Sequence, residues 1–132
     1  MIEFTPDIET KVPLIDSQHR EIFNRINDVV SMGVSSVSRE ETDKTIRFLN
    51  EYVVKHFTDE EEMHRKTNYP KKDTHKELHK LYIKSLQDLT KEYEANGPSA
   101  SFTLMLNKSI IEWIVKHIKY EDMDFGKFYA NK

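Results

Sequence analysis

Apolar residues fall three and four apart in four stretches of this chain, the spacing of one face of an α-helix. The first stretch is His19, Ile22, Phe23, Ile26, Val29 and Val30, closing near Gly33. Ser38 then has the form of an N-cap, with Glu41 three residues on to complete a capping box. The second stripe is Ile46, Leu49, Val53, His56, Phe57 and Glu60, fading toward Tyr69-Pro70, where a proline suits a boundary. The third is His75, Leu78, His79, Tyr82, Ile83, Leu86, Leu89 and Tyr93. It stops at Asn96-Gly97-Pro98-Ser99, the clearest break in the chain. The fourth runs from about Phe102 through Leu106, Ile110, Ile111, Ile114, Val115 and Ile118 to about Asp122, and Phe125 to Tyr129 adds one more turn. Three glycines and four prolines are all that punctuate 132 residues, and no segment alternates as a strand would. The expected fold is all-α: one domain over residues 1–132, an up-down-up-down antiparallel four-helix bundle with a short extra C-terminal turn or helix.

The polar residues in phase with those stripes carry the chemistry. His19, His56, His75 and His79 fall on the inner face, and so does Glu60, one turn beyond His56. A carboxylate in a core must neutralise or find a cation, and no lysine or arginine shares the inner positions. His75 and His79 form HxxxH, His56 and Glu60 form HxxxE, and His117 and Asp122 form HxxxxD. Five residues carry a helix about 140° past a full turn. For His117 and Asp122 to share a site, the aspartate must reach round or the helix must loosen. Five imidazoles and two carboxylates are too many donors for one ordinary site and a natural set for two ions. With no cysteine in the chain, any metal must be held by nitrogen and oxygen, which suits iron, manganese, zinc or copper.

The formal net charge of −3 offers no basic footprint for nucleic acid. No run approaches the roughly 18 apolar residues of a membrane span, and no secretion signal opens the chain. A free-standing cytoplasmic protein without nucleic-acid or membrane partners is therefore expected. Nothing in the sequence indicates an oligomeric state.

The order His19, His56-x3-Glu60, His75-x3-His79, His117-x4-Asp122 resembles the hemerythrins, and more closely their bacterial branch. Ile15-Asp16-Ser17-Gln18-His19, Glu60-Glu61, Tyr69-Pro70 and Trp113-Ile114-x2-His117-Ile118 extend the likeness, which spans about residues 12–122. The resemblance implies two iron ions (Fe2+/Fe3+) bridged by Glu60, Asp122 and an oxo or hydroxo group. It assigns His75, His79 and His117 to one iron and His19 and His56 to the other, which keeps an open position. It also implies reversible dioxygen binding for storage or delivery, with the oxygen held as hydroperoxide on the open iron. Ile22, Phe57, Trp113, Ile114 and Ile118 match the family's apolar oxygen pocket, and plain core packing explains them equally well.

His64 departs from the family, whose members commonly carry an apolar residue such as methionine there. It lies about 80° from His56 around the helix, near the edge of the inner face. The expectation is a partly exposed histidine one layer beyond the site; partnering Glu60, lining the pocket or ligating a metal are the alternatives. Glu61 and Glu62 read as solvated surface. A binding protein rather than an enzyme is expected, because forcing the ExxH pattern of oxidising di-iron bundles onto this chain orphans His56, His75, His79 and His117. An oxygen- or redox-sensing domain and a peroxidase-like di-iron enzyme are the competing functions.

Overall fold

The computed structural model of the chain describes residues 3–30 and 39–131. The described residues are almost wholly helical and form a four-helix bundle of four rods. Helix α1, Pro13–Val30, is the first rod. The second begins as α2, Arg39–Phe48, passes through a π-helical turn at Leu49–Val53 and continues as α3, Val54–Thr67. The third is α4, Lys72–Asn96. The fourth runs without a break through α5 (Ala100–Met105), a π turn (Leu106–Glu112), α6 (Trp113–His117), a second π turn (Ile118–Asp122) and α7 (Met123–Ala130). The expected close of the first stripe at Gly33 and the Ser38–Glu41 capping box lie on or against residues outside those described.

The breaks fall where the sequence places them, for local reasons. Asn68 takes the left-handed conformation (φ 56°) and ends α3, its N–H turning back to Arg65 O. Gly97, at φ 65°, ends α4. The Ser99 hydroxyl then accepts the Phe102 N–H at 3.0 Å and starts the fourth rod. Inside, Ile22, Leu49, Val53, Phe57, Tyr82, Leu86, Ile110, Ile114 and Ile118 form one continuous core. Tyr82 donates its hydroxyl to the Ile110 carbonyl at 3.1 Å, using an oxygen within the first π turn of the fourth rod. Among the described residues, no helix is long and apolar enough to cross a membrane.

The C-terminal tail is longer than its apolar pattern indicates: α7 continues the fourth rod for two turns and closes one end of the bundle. Phe125 packs there with Val12, Ile15 and Tyr69 in a second cluster. The N-terminal segment is clamped against it by Asp16, whose carboxylate accepts from Thr10 N at 2.8 Å, Thr10 Oγ1 at 2.7 Å and Lys11 N at 3.1 Å. Gly126 lets α7 approach that segment, since a Cβ at this position would stand 2.5 Å from the Thr10 carbonyl oxygen. In a free helix Gly→Ala is favourable by about 1 kcal/mol. Here Gly126→Ala is expected to destabilise by about 1–3 kcal/mol, because the obstacle is backbone. Chemical denaturation checks it, and a stabilised variant would show that α7 does not dock as described.

Candidate metal centre

Each rod delivers buried donors to one point in the bundle: His19 from α1, His56 and Glu60 from α3, His75 and His79 from α4, and His117 and Asp122 from the fourth rod. The pairs on α3 and α4 meet because residues four apart stack on one helix face. His117 and Asp122 meet by another device. The π turn at Ile118–Asp122 shifts hydrogen bonding to i+5 and adds a residue to the turn, which brings the fifth residue back to the side of the first. The loosening that the HxxxxD spacing demands is therefore present in the backbone.

The donors divide into two groups that could each hold a cation. Glu60, His75, His79, His117 and Asp122 form one; His19, His56 and Asp122 form the other. In the first group, His75 Nε2 lies 3.1 Å from Glu60 Oε1 and 3.0 Å from Asp122 Oδ1. His79 Nε2 lies 3.1 Å from Glu60 Oε1, and His117 Nε2 lies 3.2 Å from both Asp122 Oδ1 and His79 Nε2. In the second, His19 Nε2 stands 2.9 Å from Asp122 Oδ2 and 3.1 Å from His56 Nε2. Asp122 thus gives one oxygen to each group.

These separations fit a metal. Adjacent donors around an octahedral ion with bonds of about 2.1 Å stand roughly 3.0 Å apart. Both oxygens of Glu60 and of Asp122, together with His75 Nε2, are buried and make no hydrogen bond among the described residues despite this crowding. Within each group the candidate donor atoms all lie within 4.8 Å of one another. The ion-pair partners of both carboxylates among the described residues are all histidines.

The metal-free electrostatics show the same concentration of charge. Burial pushes the Glu60 and Asp122 carboxyls upward, but the surrounding imidazoles outweigh it and hold both below the usual carboxylate range. For His75, burial acts downward and the Asp122 and Glu60 carboxylates overcome it, raising it to about 10. Burial, reinforced by neighbouring His19, lowers His56 to about 4.

Outer partners orient several of the rings. His56 donates Nδ1–H to Gln18 Oε1 at 2.6 Å, and Gln18 Nε2 donates to Asp59 Oδ2 at 2.9 Å, which also accepts from Lys55 Nζ at 2.9 Å. His79 donates Nδ1–H to Glu61 Oε2 at 2.7 Å. With Nδ1 carrying the proton, each Nε2 keeps its lone pair for the site. Glu61 reads from the sequence as solvated surface, and Gln18 only as part of the stretch Ile15-Asp16-Ser17-Gln18-His19; neither they nor Asp59 are expected there to orient a ligand. Their one local sign is adjacency to a donor: Gln18 precedes His19, while Asp59 and Glu61 flank Glu60. Glu61→Ala is expected to weaken metal binding about 10–100-fold, read by titrating the metal-free protein; unchanged affinity would remove the orienting role.

Ile22, Phe57, Ile114 and Ile118 are buried in the main core. Phe57 lies flat against His79, with centroids 3.8 Å apart, and 5.8 Å from His56. Trp113 instead stacks on His117 at 4.6 Å, half-buried, beside a surface depression of about 220 Å³ that it lines with Leu78, Lys116, His117, Tyr120 and Glu121. His64 is not at a half-exposed edge: it is 1% exposed, because Tyr69 and Phe125, from segments after α3, close over it.

Residues 10–129 match the family model described as Hemerythrin HHE cation binding domain. A bacteriohemerythrin of Methylococcus capsulatus is 30% identical over 117 residues, covering 89% of this chain and 87% of its own. One from Stenotrophomonas maltophilia is 25% identical over 127 residues, covering 96% and 80%. A myohemerythrin of Theromyzon tessulatum is 28% identical over 111 residues, covering 84% and 79%.

Proposed function

The chain belongs to the hemerythrin family, and on that footing we propose that it binds dioxygen reversibly at a pair of iron ions inside its single bundle domain. Five donors surround one point and three the other, and this asymmetry carries the reading. His75, His79, His117, Glu60 and Asp122 would hold one ion. His19, His56 and Asp122 would hold the second, with Glu60 Oε2, buried and without a hydrogen bond among the described residues, supplying a further bridge. An octahedral ion held by three or four protein donors keeps room for a small ligand. Two ferrous ions supply, when bound, the two electrons by which dioxygen is held and given back.

The protein's part is to position and to exclude. Gln18 fixes the His56 ring and its tautomer, so the Nε2 lone pair faces the site. Ile22, Phe57, Ile114 and Ile118 line the interior with carbon and keep water and stray protons away. Within the two donor groups imidazoles outnumber carboxylates five to two. That neutral-rich donor set limits the charge the core must hold, and it favours binding over substrate oxidation.

Oxygen uptake by the anaerobically reduced, iron-loaded protein tests the proposal. One dioxygen taken up per two irons, and returned when the solution is purged, is expected. Uptake that leaves the iron oxidised and returns no oxygen would overturn it.

A further inference from the structure

Among the described residues, His64 is the one buried side chain with unpartnered polar atoms that stands outside both donor groups. It follows Glu60 by four residues and His56 by eight on α3, and both its Nδ1 and its Nε2 are buried without a hydrogen-bond partner among the described residues. Its surroundings are rings: His75 at 4.5 Å, Phe125 at 4.3 Å and Tyr69 at 4.9 Å between centroids. Burying a polar side chain without partners is costly, and an apolar residue would fill the same space without that loss. The other five histidines of the chain all belong to the two donor groups. An uncompensated local fault of this kind points to a function.

We propose that His64 is a reserve ligand for the ion held by Glu60, His75, His79, His117 and Asp122. It takes the place of the His75 imidazole when that ring detaches, so the ion escapes only after both have released it. The inference rests on the two-ion reading above. His75 sits in the first turn of α4, an end where opening is least opposed; its ring packs T-shaped against His64, and its Nε2 stands 3.1 Å from Glu60 Oε1 and 3.0 Å from Asp122 Oδ1. His64 lies in the last turn of α3, where its carbonyl accepts the Tyr69 N–H at 3.0 Å. With no hydrogen bond to break, its ring is free to enter the space that His75 leaves. The exchange of one neutral imidazole for another moves no electron and no proton.

Release of cobalt(II) from the loaded full-length chain into excess chelator tests this, with ions per chain counted after desalting. His64→Met is expected to bind two ions but release one of them about tenfold faster than wild type, the lower end of what a lost supporting group costs a metal site. The same variant, without metal, is expected to melt at a higher temperature than wild type, since the unpartnered imidazole is gone. Shape-filling alone does not move these two readouts in opposite directions. His75→Ala should retain two ions and His75→Ala/His64→Met one, with helicity checked by circular dichroism. Equal release rates in wild type and His64→Met, or equal ion counts in the His75→Ala single and double variants, would overturn the inference. Wild-type protein holding fewer than two ions would overturn the two-ion reading itself, and this inference with it.

Discussion

Asp122→Ala is expected to lose both metal ions, whereas His19→Ala loses one. Asp122 is the one residue common to the two donor groups, with Oδ1 facing His75 and His117 and Oδ2 facing His19. Removing it takes a donor and a negative charge from each ion at once. The lost affinity should exceed the roughly 10–100-fold that disturbing an outer partner costs. His19 serves only the three-donor group, so the five-donor group is left intact without it. Ion counts after desalting distinguish the outcomes. The chain's one tryptophan also reports on a single ion, because Trp113 stacks on His117 and its emission should fall when the five-donor group is loaded. Asp122→Ala protein that keeps two ions, with that quenching intact, would show that the carboxylate bridges nothing.

Metal removal should produce the largest change in stability. A ligand at a thousandfold excess over its Kd stabilises by about 4 kcal/mol, which for a chain of this length shifts the melting midpoint on the order of 10 °C or more. The shift should depend on pH. In the metal-free fold His75 is raised to about 10, so its contribution is complete below the ordinary imidazole value of about 6.5 and is lost as pH rises toward 10. His56 is lowered to about 4, so its contribution is complete above about 6.5 and is lost as pH falls toward 4. The metal-free protein should therefore be most stable near pH 6.5. The loaded protein has these imidazoles committed to the ions and should vary little from there to pH 9. The gap between the two midpoints should widen with rising pH over that range, and close in acid as protons displace metal. A gap constant from pH 6.5 to 9 would mean that His75 is neutral without metal.

Much of the architecture was legible because it is local. Helical spacing marks the rods, Tyr69-Pro70 and Asn96-Gly97-Pro98-Ser99 mark two of the turns, and i,i+4 spacing pairs His56 with Glu60 and His75 with His79. What was illegible depends on contacts between distant segments. Phase angle alone places His64 at a helix edge; Phe125, sixty-one residues later, buries it. The length of α7 depends on its docking against Thr10, which an apolar count cannot register. Glu61 looks like surface charge until α4 brings His79 within 2.7 Å of it. The HxxxxD spacing lies between these cases. Its mismatch with an α-helix is visible in the sequence, but only the fold shows that a π turn at Ile118–Asp122 resolves it.

The most direct test of reversible oxygen binding is the visible spectrum of the ferrous-loaded protein carried through a cycle of oxygen and purging. An absorption band should appear when oxygen is admitted, vanish when it is removed, and return with little loss over repeated cycles. Passage to a permanent ferric spectrum on first exposure, with no reversible band, would contradict it.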